Sequence, residues 1–333
     1  MTSPSPLVSV CICAYNAAAY IEAALMSIAQ QTYRNLEIVV VDDGSGDATP
    51  DTVARWCASD PRIRLIRSTE NRGIAYARQT ALEVATGEWI VFLDADDIAM
   101  PELIEREIAM VQSDPSCMAV SVGAILTGPD GPSQPIAARR IGPSSKVHFR
   151  RLVDETKLVF METPSLLPRR LALEAGGFRL FSSRRDGRVR MRDLAEDLDL
   201  WCRLSDLARQ GRFMVSLPEP LVYIRKTAGS LSSANSGLMA MRIAWIKDCM
   251  RRRRQGLAEL GYDDFERSMT GLQRLRFHRN AFGARRWRAL GSAYMERRWA
   301  SALWSLLLVL LVNPGRLVRG RARLQRTASL EDA

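Results

Sequence analysis

The first hundred residues alternate short apolar runs with longer stretches of helical periodicity, and this alternation limits the folds that the chain can adopt. The apolar runs are rich in β-branched residues and predict strands over Leu7–Ala14, Leu36–Val41, Arg62–Arg67 and Trp89–Leu93. Helical spacing between them predicts helices over Asn16–Gln31, with Asn16 as the N-cap, and over Thr49–Ala58 and Gly73–Thr86. Elements in this order predict an α/β fold, a mainly parallel, doubly wound, Rossmann-like sheet.

Polar residues follow three of the predicted strands at the point where each strand ends. The first strand is followed by Tyr15 and Asn16, the second by "DDGSGD" from Asp42, and the fourth by "DADD" from Asp94. In an open parallel sheet, ligands bind in the crevice beyond the carboxyl ends of the strands. The sequence therefore predicts a polar ligand site at one edge of the sheet.

The three carboxylates of "DADD" repel one another unless a cation neutralises them. Asp94 and Asp96 are two residues apart, so their side chains share one face of an extended segment. A hard divalent cation prefers such oxygen ligands and keeps positions open for phosphate and water, which predicts Mn2+ or Mg2+ bridging a diphosphate. The alternative is an acidic cap and first turn for the following helix, a role that suits Asp97.

Two absent motifs restrict how a diphosphate could be held. The sequence contains no GxxxxGK[ST], and no GxGxxG follows the first strand, which argues against a P-loop NTPase and a standard dinucleotide fold. Isolated basic side chains must then assist the metal, and Arg78 is the candidate. The alternative for Arg78 is a solvated charge on its helix.

A second acidic motif, Glu196-Asp197, opens a helix predicted over Asp193–Arg209. A carboxylate near a helix N-terminus stays ionised and suits a general base, but helices also favour an acidic first turn for structural reasons. The residues alone leave both interpretations open. We expect Asp199 to be a surface charge or a cap partner.

Six motifs together resemble one enzyme family. They are "VSVCICAYN", "VVVDDGSGDAT", "NRGIAYAR", "ATGEWIVFLDADD", "GGF" from Gly176 and "EDLDLW" from Glu196. In this order and spacing the chain resembles family 2 glycosyltransferases of GT-A fold, which move a sugar from a nucleotide diphosphate donor. The resemblance covers roughly residues 7–230.

This resemblance implies a nucleotide site at the ends of the first two strands. Tyr15 would lie near the base or the ribose, and Asp43 would accept a hydrogen bond from the base, with Asp42 in support. From the residues alone, Asp42 and Asp43 also suit the turn before Gly44.

The resemblance also implies the catalytic groups. Asp96 would be the principal metal ligand, and Asp94 would contact the metal, the ribose or the donor sugar. Arg78 would approach the diphosphate. Asp197 would be the general base for the acceptor hydroxyl, and Glu196 a neighbour that contacts donor or acceptor.

Two positions depart from the family pattern. Gln79 stands where many relatives have asparagine, and Thr227 stands where many have a histidine on the diphosphate side. Arg225 or Lys226 would then take over the role of that histidine.

The net charge of +10 on 333 residues belongs mainly to the second half of the chain. We expect a catalytic domain over 1–236 and a helical, basic region over 237–333. Ala300–Val312 is apolar but shorter than the ~20 residues of a spanning helix. The region either lies on an anionic membrane surface or packs as a helical hairpin on the catalytic domain. An acid-lined rim and the lack of a binding motif argue against nucleic acid.

The six cysteines show no metal-ligand spacing and suit a reducing cytosol. The N-terminus lacks the pattern of a signal peptide, so we expect a cytoplasmic protein, with a peripheral position at the inner face of the cytoplasmic membrane if the basic region docks there.

The expected activity is inverting, metal-dependent transfer from a nucleotide-diphosphate sugar to a hydroxyl of a glycan or lipid-linked acceptor. UDP is the expected nucleotide, and surface polysaccharide or glycolipid the expected product. A sugar-nucleotide-forming nucleotidyltransferase is one alternative, although it should carry a glycine-rich loop with a basic residue where this chain has Ala14-Tyr15-Asn16. A non-catalytic scaffold on a transferase fold is the other, and the intact acidic motifs argue against it.

Overall fold

The computed structural model describes residues 5–180, 193–226, 236–275 and 299–312, with isolated positions between 277 and 290. The chain divides into two compact units, one of residues 1–230 and 246–259, and one of residues 231–245 and 260–333. In the first unit, the described strands are β1 Val8–Ala14, β2 Leu36–Asp42, β3 Ile63–Arg67, β4 Trp89–Asp94, β5 Ile98–Ala99, β6 Cys117–Gly128, β7 Gly131–Arg139, β8 Ser165–Pro168 and β9 Phe213–Arg225. The helices that begin before residue 205 are α1 Ile21–Ala29, α2 Thr49–Ser59, α3 Ile74–Val84, α4 Leu103–Ser113, α5 Lys146–Asp154, α6 Arg169–Glu174 and α7 Glu196–Leu204.

All of these strands belong to one sheet, in the order β3-β2-β1-β4-β8-β6-β9-β5, with β7 paired to β6. The strands β1 to β4 run parallel to one another, as the sequence predicts. Beyond them, β8 is antiparallel to both β4 and β6, while β9 is parallel to β6. The predicted α/β class with a mainly parallel sheet is therefore confirmed for this part of the chain.

The core lies around the central strands. β1 and β2 are buried along almost their whole length, and α3 packs against both of them. Burial on both faces explains why these strands are continuous apolar runs rather than alternating ones. The register sets Ala14 beside Asp42 and Cys13 beside Asp94, so the polar residues after β1, β2 and β4 meet at one edge.

Proline-containing segments are more regular than the sequence suggests. The glycines and prolines over 127–143 predict a loop or a subdomain boundary, but this stretch instead contributes the antiparallel β6–β7 hairpin. β7 tolerates Pro132 and Pro135 because it pairs on only one side, with β6. Pro218 and Pro220 within Leu217–Ile224 predict strands around a proline-bounded turn; the segment is a strand, but the turn is wrong, because β9 continues through it with a register shift near Pro220.

The C-terminal part of the chain is helical, as predicted. Its described helices are α8 Ser236–Arg254, α9 Tyr262–Ser268 and α10 Trp299–Val312. None of the helices formed by the described residues combines the length and apolarity needed to cross a bilayer. The basic stretch over 316–326 and Thr227 lie outside the described residues.

The arginines at the end of α8 form ion pairs within the first unit. Arg253 pairs with Asp206 at 2.8 Å and with Glu259 at 2.6 Å. Arg254 pairs with Asp206 at 2.9 Å, and Arg252 pairs with Asp248 on its own helix. Much of this charge is therefore neutralised internally.

Candidate active site

The loops after β1 and β2 are tied to each other by short hydrogen bonds. The backbone N–H of Asn16 donates to Ser45 Oγ at 2.9 Å, and the N–H of Gly46 donates to Asn16 Oδ1 at 2.9 Å. Asn16 adopts φ 49° and lies outside α1, whose N-cap is Tyr20, so its predicted capping role is wrong. These bonds present the exposed ring of Tyr15 at the edge of the sheet.

Asp42 and Asp43 are both buried at the end of β2. The carboxylate of Asp43 accepts the backbone N–H groups of Arg72 at 2.9 Å and Gly73 at 2.7 Å. Asp42 Oδ2 lies 3.7 Å from Arg67, while its Oδ1 has no hydrogen-bond partner among the described residues. Asp43 therefore fixes the loop before α3, and its own backbone N–H donates to the carbonyl of Ala14, the residue before Tyr15, at 2.8 Å.

The "DADD" carboxylates occupy different environments. Asp94 is 44% exposed, Asp96 is partly buried and Asp97 is 2% exposed. Burial and the charge of Asp94 raise the pKa of Asp96. Asp97 accepts the backbone N–H of Arg225 at 3.0 Å, and burial with the charges of Asp94 and Asp96 raises its pKa well above the usual value. The helix-capping role predicted for Asp97 is wrong, because α4 begins at Leu103 with Glu102 as its N-cap.

A divalent cation fits the chemistry of this edge. Asp94 and Asp96 supply hard oxygen ligands, and burial, together with the charge of Asp94, raises the pKa of Asp96. Among the described residues, no group of three or more potential ligand side chains surrounds one point. A cation held here would therefore take most of its ligands from a phosphate-bearing substrate and water.

Arg78 links two of the acidic motifs. Its Nη2 lies 2.8 Å from Asp94 Oδ1 and its Nη1 lies 2.7 Å from Glu196 Oε1. The residue is only 6% exposed, so the solvated helix charge considered for it is wrong. Burial raises the pKa of Glu196, and the charge of Arg78 opposes that rise. One buried guanidinium thus joins the end of β4 to the start of α7 across more than a hundred residues of sequence.

Asp197 lies next to this link. It is partly buried and lines a small cavity of about 20 Å³ together with Arg78, Phe92 and Trp201. The preceding residue, Ala195, adopts the left-handed conformation with φ 54°. Such strain is uncommon outside glycine and clusters at functional sites. The structure therefore places Asp197 close to Arg78, whose guanidinium also contacts Asp94.

Asp193 is a further residue of this site, one that sequence reasoning misses. Its carboxylate accepts the N–H of Ala75 at 3.1 Å and thereby holds the first turn of α3. Gly73 makes room for it, because a Cβ at that position would lie 2.2 Å from Asp193 Oδ2. Gly73 also adopts φ 95°, which favours glycine. No local sequence pattern predicts this contact, since the partners are 118 residues apart in sequence.

Two basic residues reach the "DADD" edge from the end of β9. Arg225 donates to the backbone carbonyl of Asp96 at 3.1 Å and lies 4.8 Å from the centre of the Tyr20 ring. The positive charge of Lys226 lowers the pKa of Asp96. Both residues therefore lie close enough to Asp96 to supply positive charge there, in place of the histidine of the family pattern.

Gln79 and Asp199 both make structural contacts close to the site. Gln79 accepts the N–H of Phe178 in the "GGF" turn at 2.7 Å, and the Phe178 ring contacts Phe92 edge-to-face. Asp199 is 1% exposed and pairs with Arg203 at 3.0 Å, so the surface role predicted for it is wrong. These contacts fix α7 against the sheet.

A family model described as glycosyl transferase family 2 matches residues 9–181, which is just over half of the chain. The UDP-Glc:alpha-D-GlcNAc-diphosphoundecaprenol beta-1,3-glucosyltransferase WfgD of Escherichia coli is 43% identical over 105 residues, 32% of this chain and 41% of that protein. The succinoglycan biosynthesis protein ExoO of Rhizobium meliloti is 44% identical over 103 residues, 31% of this chain and 29% of that protein. The matched stretch is thus well under half the length of these relatives.

Solved structures show the fold. The mannosyltransferase PcManGT of Pyrobaculum calidifontis, in complex with GDP-Man and Mn2+, aligns with a TM-score of 0.53 at 23% identity and covers 95% of this chain and 83% of its own. Residues 1–349 of S. aureus TarS in complex with UDP-GlcNAc align with a TM-score of 0.53 at 18% identity, covering 90% of this chain and 88% of that one. The likeness confirms the GT-A type of α/β fold.

Proposed function

The chain belongs to glycosyl transferase family 2, and from this premise we propose that it transfers a sugar from a nucleotide-diphosphate donor to an acceptor hydroxyl, with inversion, in bacterial polysaccharide synthesis. The observation that carries the proposal is the guanidinium of Arg78, which joins Asp94 at the "DADD" edge to Glu196, the residue before Asp197. Acidic groups from separate parts of the sequence thereby share one cleft, as donor binding and base catalysis require.

The donor would lie across the ends of β1, β2 and β4. Tyr15 and Asp43 would contact the nucleotide base, and Asp42 would support Asp43 from the core. A UDP-sugar is the donor we expect, since WfgD is named for UDP-Glc and TarS was solved with UDP-GlcNAc. PcManGT was solved with GDP-Man, so a GDP-sugar is the first alternative donor to test.

Asp96, with Asp94, would hold Mn2+ or Mg2+, and the bound ion would supply positive charge to the leaving diphosphate. This assignment is supported by the hard oxygen donors of two carboxylates that lie two residues apart at the "DADD" edge. Arg225 and Lys226 would add positive charge from the end of β9. Arg78 already pairs with two carboxylates, so its main role would be to hold the donor edge and the start of α7 together.

Asp197 would take the proton of the acceptor hydroxyl as the hydroxyl oxygen attacks the anomeric carbon. The bond from that carbon to the diphosphate oxygen breaks in the same displacement, which inverts the configuration. Glu196 is buried against Arg78, an arrangement that favours holding the start of α7 over touching substrate.

The acceptor would be a glycan or a lipid-linked sugar, because WfgD is named for an acceptor on diphosphoundecaprenol. We place the reaction at the cytoplasmic face of the membrane, with α10 on the anionic surface. In support, α10 exposes large apolar side chains at Trp299, Leu303, Trp304 and Leu307.

A thermal-shift screen of UDP-, GDP- and dTDP-sugars with and without Mn2+ tests donor binding. We expect one donor to raise the melting temperature only when Mn2+ is present. Asp96→Ala should remove that shift, while the control Asp51→Ala, an exposed acid on α2, should keep it. Equal donor shifts in wild type and Asp96→Ala would refute the metal assignment.

Turnover separates the base from the binding groups. Asp197→Asn should bind the donor as the wild type does and lose transfer by about 10²–10⁴-fold, the usual contribution of a general base. Transfer retained within a few-fold would place the base elsewhere. A wild type that binds donor but never transfers, across a panel of acceptors, would favour the scaffold alternative.

Membrane docking is tested first by point substitutions that keep the helix and then by its deletion. Trp304→Ala with Leu307→Ala should weaken flotation with anionic vesicles if the exposed face of α10 inserts between headgroups. Deletion of residues 300–333 should have the larger effect. Unchanged flotation in both would favour a helix packed on protein.

A further inference from the structure

Arginines line a cavity of about 590 Å³ in the first unit, between α5, the 3-10 helix Ser205–Gln210 and the end of α8. Its walls include Arg150, Arg209, Arg251 and Arg254. The volume lies within the ~300–1,000 Å³ range of small-ligand pockets. We propose that this cavity binds a phosphate group of an anionic ligand, at a site separate from the catalytic edge.

The cavity lies at the opposite end of α7 from the catalytic groups. Glu196 opens α7 at the catalytic cleft, and the nine residues of the helix span about 13 Å before the 3-10 helix carries the chain to Arg209. β9 then begins at Phe213, beside Cys117 at the start of β6. These are the amino ends of the strands, whereas the acidic motifs follow the carboxyl ends. A ligand in the cavity therefore occupies a different site from the sugar donor.

Two of the four arginines, Arg209 and Arg254, make structural contacts that explain their presence. Arg254 pairs with Asp206 and donates to the carbonyl of Val153 at 2.7 Å and to Ser205 Oγ at 3.0 Å. Arg209 donates one N–H to the carbonyl of Arg254 at 3.0 Å. Both thus bind carbonyls at the ends of helices, where cations are favoured.

The other two arginines have no comparable partners. Arg251 lies 3.4 Å from Asp248 with half of its side chain exposed, which makes a weak ion pair. Among the described residues, the side chain of Arg150 takes part in no ion pair or hydrogen bond. Asp154 is the one carboxylate among the lining residues. Asp154, Asp206 and Asp248 together carry three negative charges against the four arginines, so the cavity keeps a net positive charge.

Strain in the wall of the cavity is a second observation. Thr156, which follows α5 and lines the cavity, has φ 51°. This left-handed conformation favours glycine and is unusual for a β-branched residue. Strain of this kind concentrates at functional positions, including ligand clamps. A hydroxyl beside several guanidinium groups completes a donor set that suits phosphate oxygens.

Isothermal titration of the full chain with inorganic phosphate, at constant ionic strength, tests the site. Arg150→Ala with Arg251→Ala should weaken phosphate binding by about tenfold or more, because each lost guanidinium removes charge-assisted hydrogen bonds. The matched control is Arg170→Ala with Arg267→Ala, which also removes two exposed arginines and should bind as the wild type does. Phosphate bound at the catalytic edge contributes equally to all three proteins.

Vesicle flotation distinguishes the source of the phosphate. If the ligand is a lipid headgroup, the Arg150→Ala/Arg251→Ala protein should bind phosphatidylglycerol vesicles more weakly than the control double variant, with no binding of either to phosphatidylcholine. If phosphate binding falls and flotation does not, the ligand is a soluble phosphate compound. Equal behaviour of both double variants in both assays would overturn the proposal.

Thr156→Gly separates binding from folding. Glycine relieves the strained φ, so the variant should unfold at the same or a higher urea concentration than the wild type. It should nevertheless bind phosphate several-fold more weakly, because the hydroxyl is gone. Unchanged phosphate affinity in this variant would count against the cavity as the binding site.

Discussion

The buried contact between Arg78 and Glu196 links α3 to the start of α7, and Arg78→Met tests it. The side chains of Arg78 and Glu196 are 7% and 8% exposed and their charged atoms are 2.7 Å apart. Breaking a buried pair by removing one partner costs about 3–5 kcal/mol, because the remaining charge loses its compensation. The contact with Asp94, which is 44% exposed, adds less than about 1 kcal/mol.

The cost should appear in urea unfolding as a fall of about 3–5 kcal/mol in the free energy of unfolding. Arg78→Met with Glu196→Leu replaces the pair by apolar groups and should recover most of that loss, giving a coupling energy of about 2–3 kcal/mol. Arg170→Met is the matched control: its partner Glu174 is exposed, so the loss should stay below about 0.5 kcal/mol. A loss below 1 kcal/mol for Arg78→Met, or additive effects in the double variant, would refute the argument.

Three further changes test burial and backbone strain. Glu107 is fully buried, and burial raises its pKa well above 4.5, so its contribution to stability is present below pH 4.5 and is lost as pH rises towards the folded pKa. Glu107→Gln should therefore stabilise the protein more at pH 8 than at pH 5 in urea unfolding, and an equal effect at both pH values would contradict this. Ala195→Gly should raise the free energy of unfolding by about 0.5–1 kcal/mol by relieving φ 54°, and a loss would mean that the strain is absent. Gly73→Ala should lower it by at least ~2 kcal/mol, since the new Cβ would meet Asp193 at 2.2 Å; a melting temperature within 2 °C of the wild type would be evidence against that clash.

Local sequence patterns predict the parallel half of the sheet because each central strand is buried on both faces. A continuous β-branched run between helical stretches has few other solutions, and β1, β2 and β4 lie where the runs predict them. The polar edge follows from the same pattern, since the carboxyl ends of parallel strands must meet. Prolines lead to wrong predictions of a loop or a turn where a strand pairs on one side only or shifts register, as in the β6–β7 hairpin and in β9.

The contacts that connect the motifs depend on tertiary packing and leave no local trace. Asp199 has the sequence context of a surface helix acid, yet it is buried against Arg203 and Arg179. The contact of Asp193 with the first turn of α3 joins stretches 118 residues apart. Sequence spacing predicts which residues can share a face of one element, but not which distant charge will meet them.

The central claim is that the metal-binding carboxylates and Asp197 share one cleft. Trp201 lines the same cavity as Asp197, while Trp89 begins β4, about 16 Å along the strand from Asp94. In protein labelled with fluorotryptophan, Mn2+ should broaden the fluorine resonance of Trp201 much more than that of Trp89, and Mg2+ or Asp96→Ala should abolish the difference. Equal broadening of the two resonances, or stronger broadening of Trp89, would contradict the shared cleft.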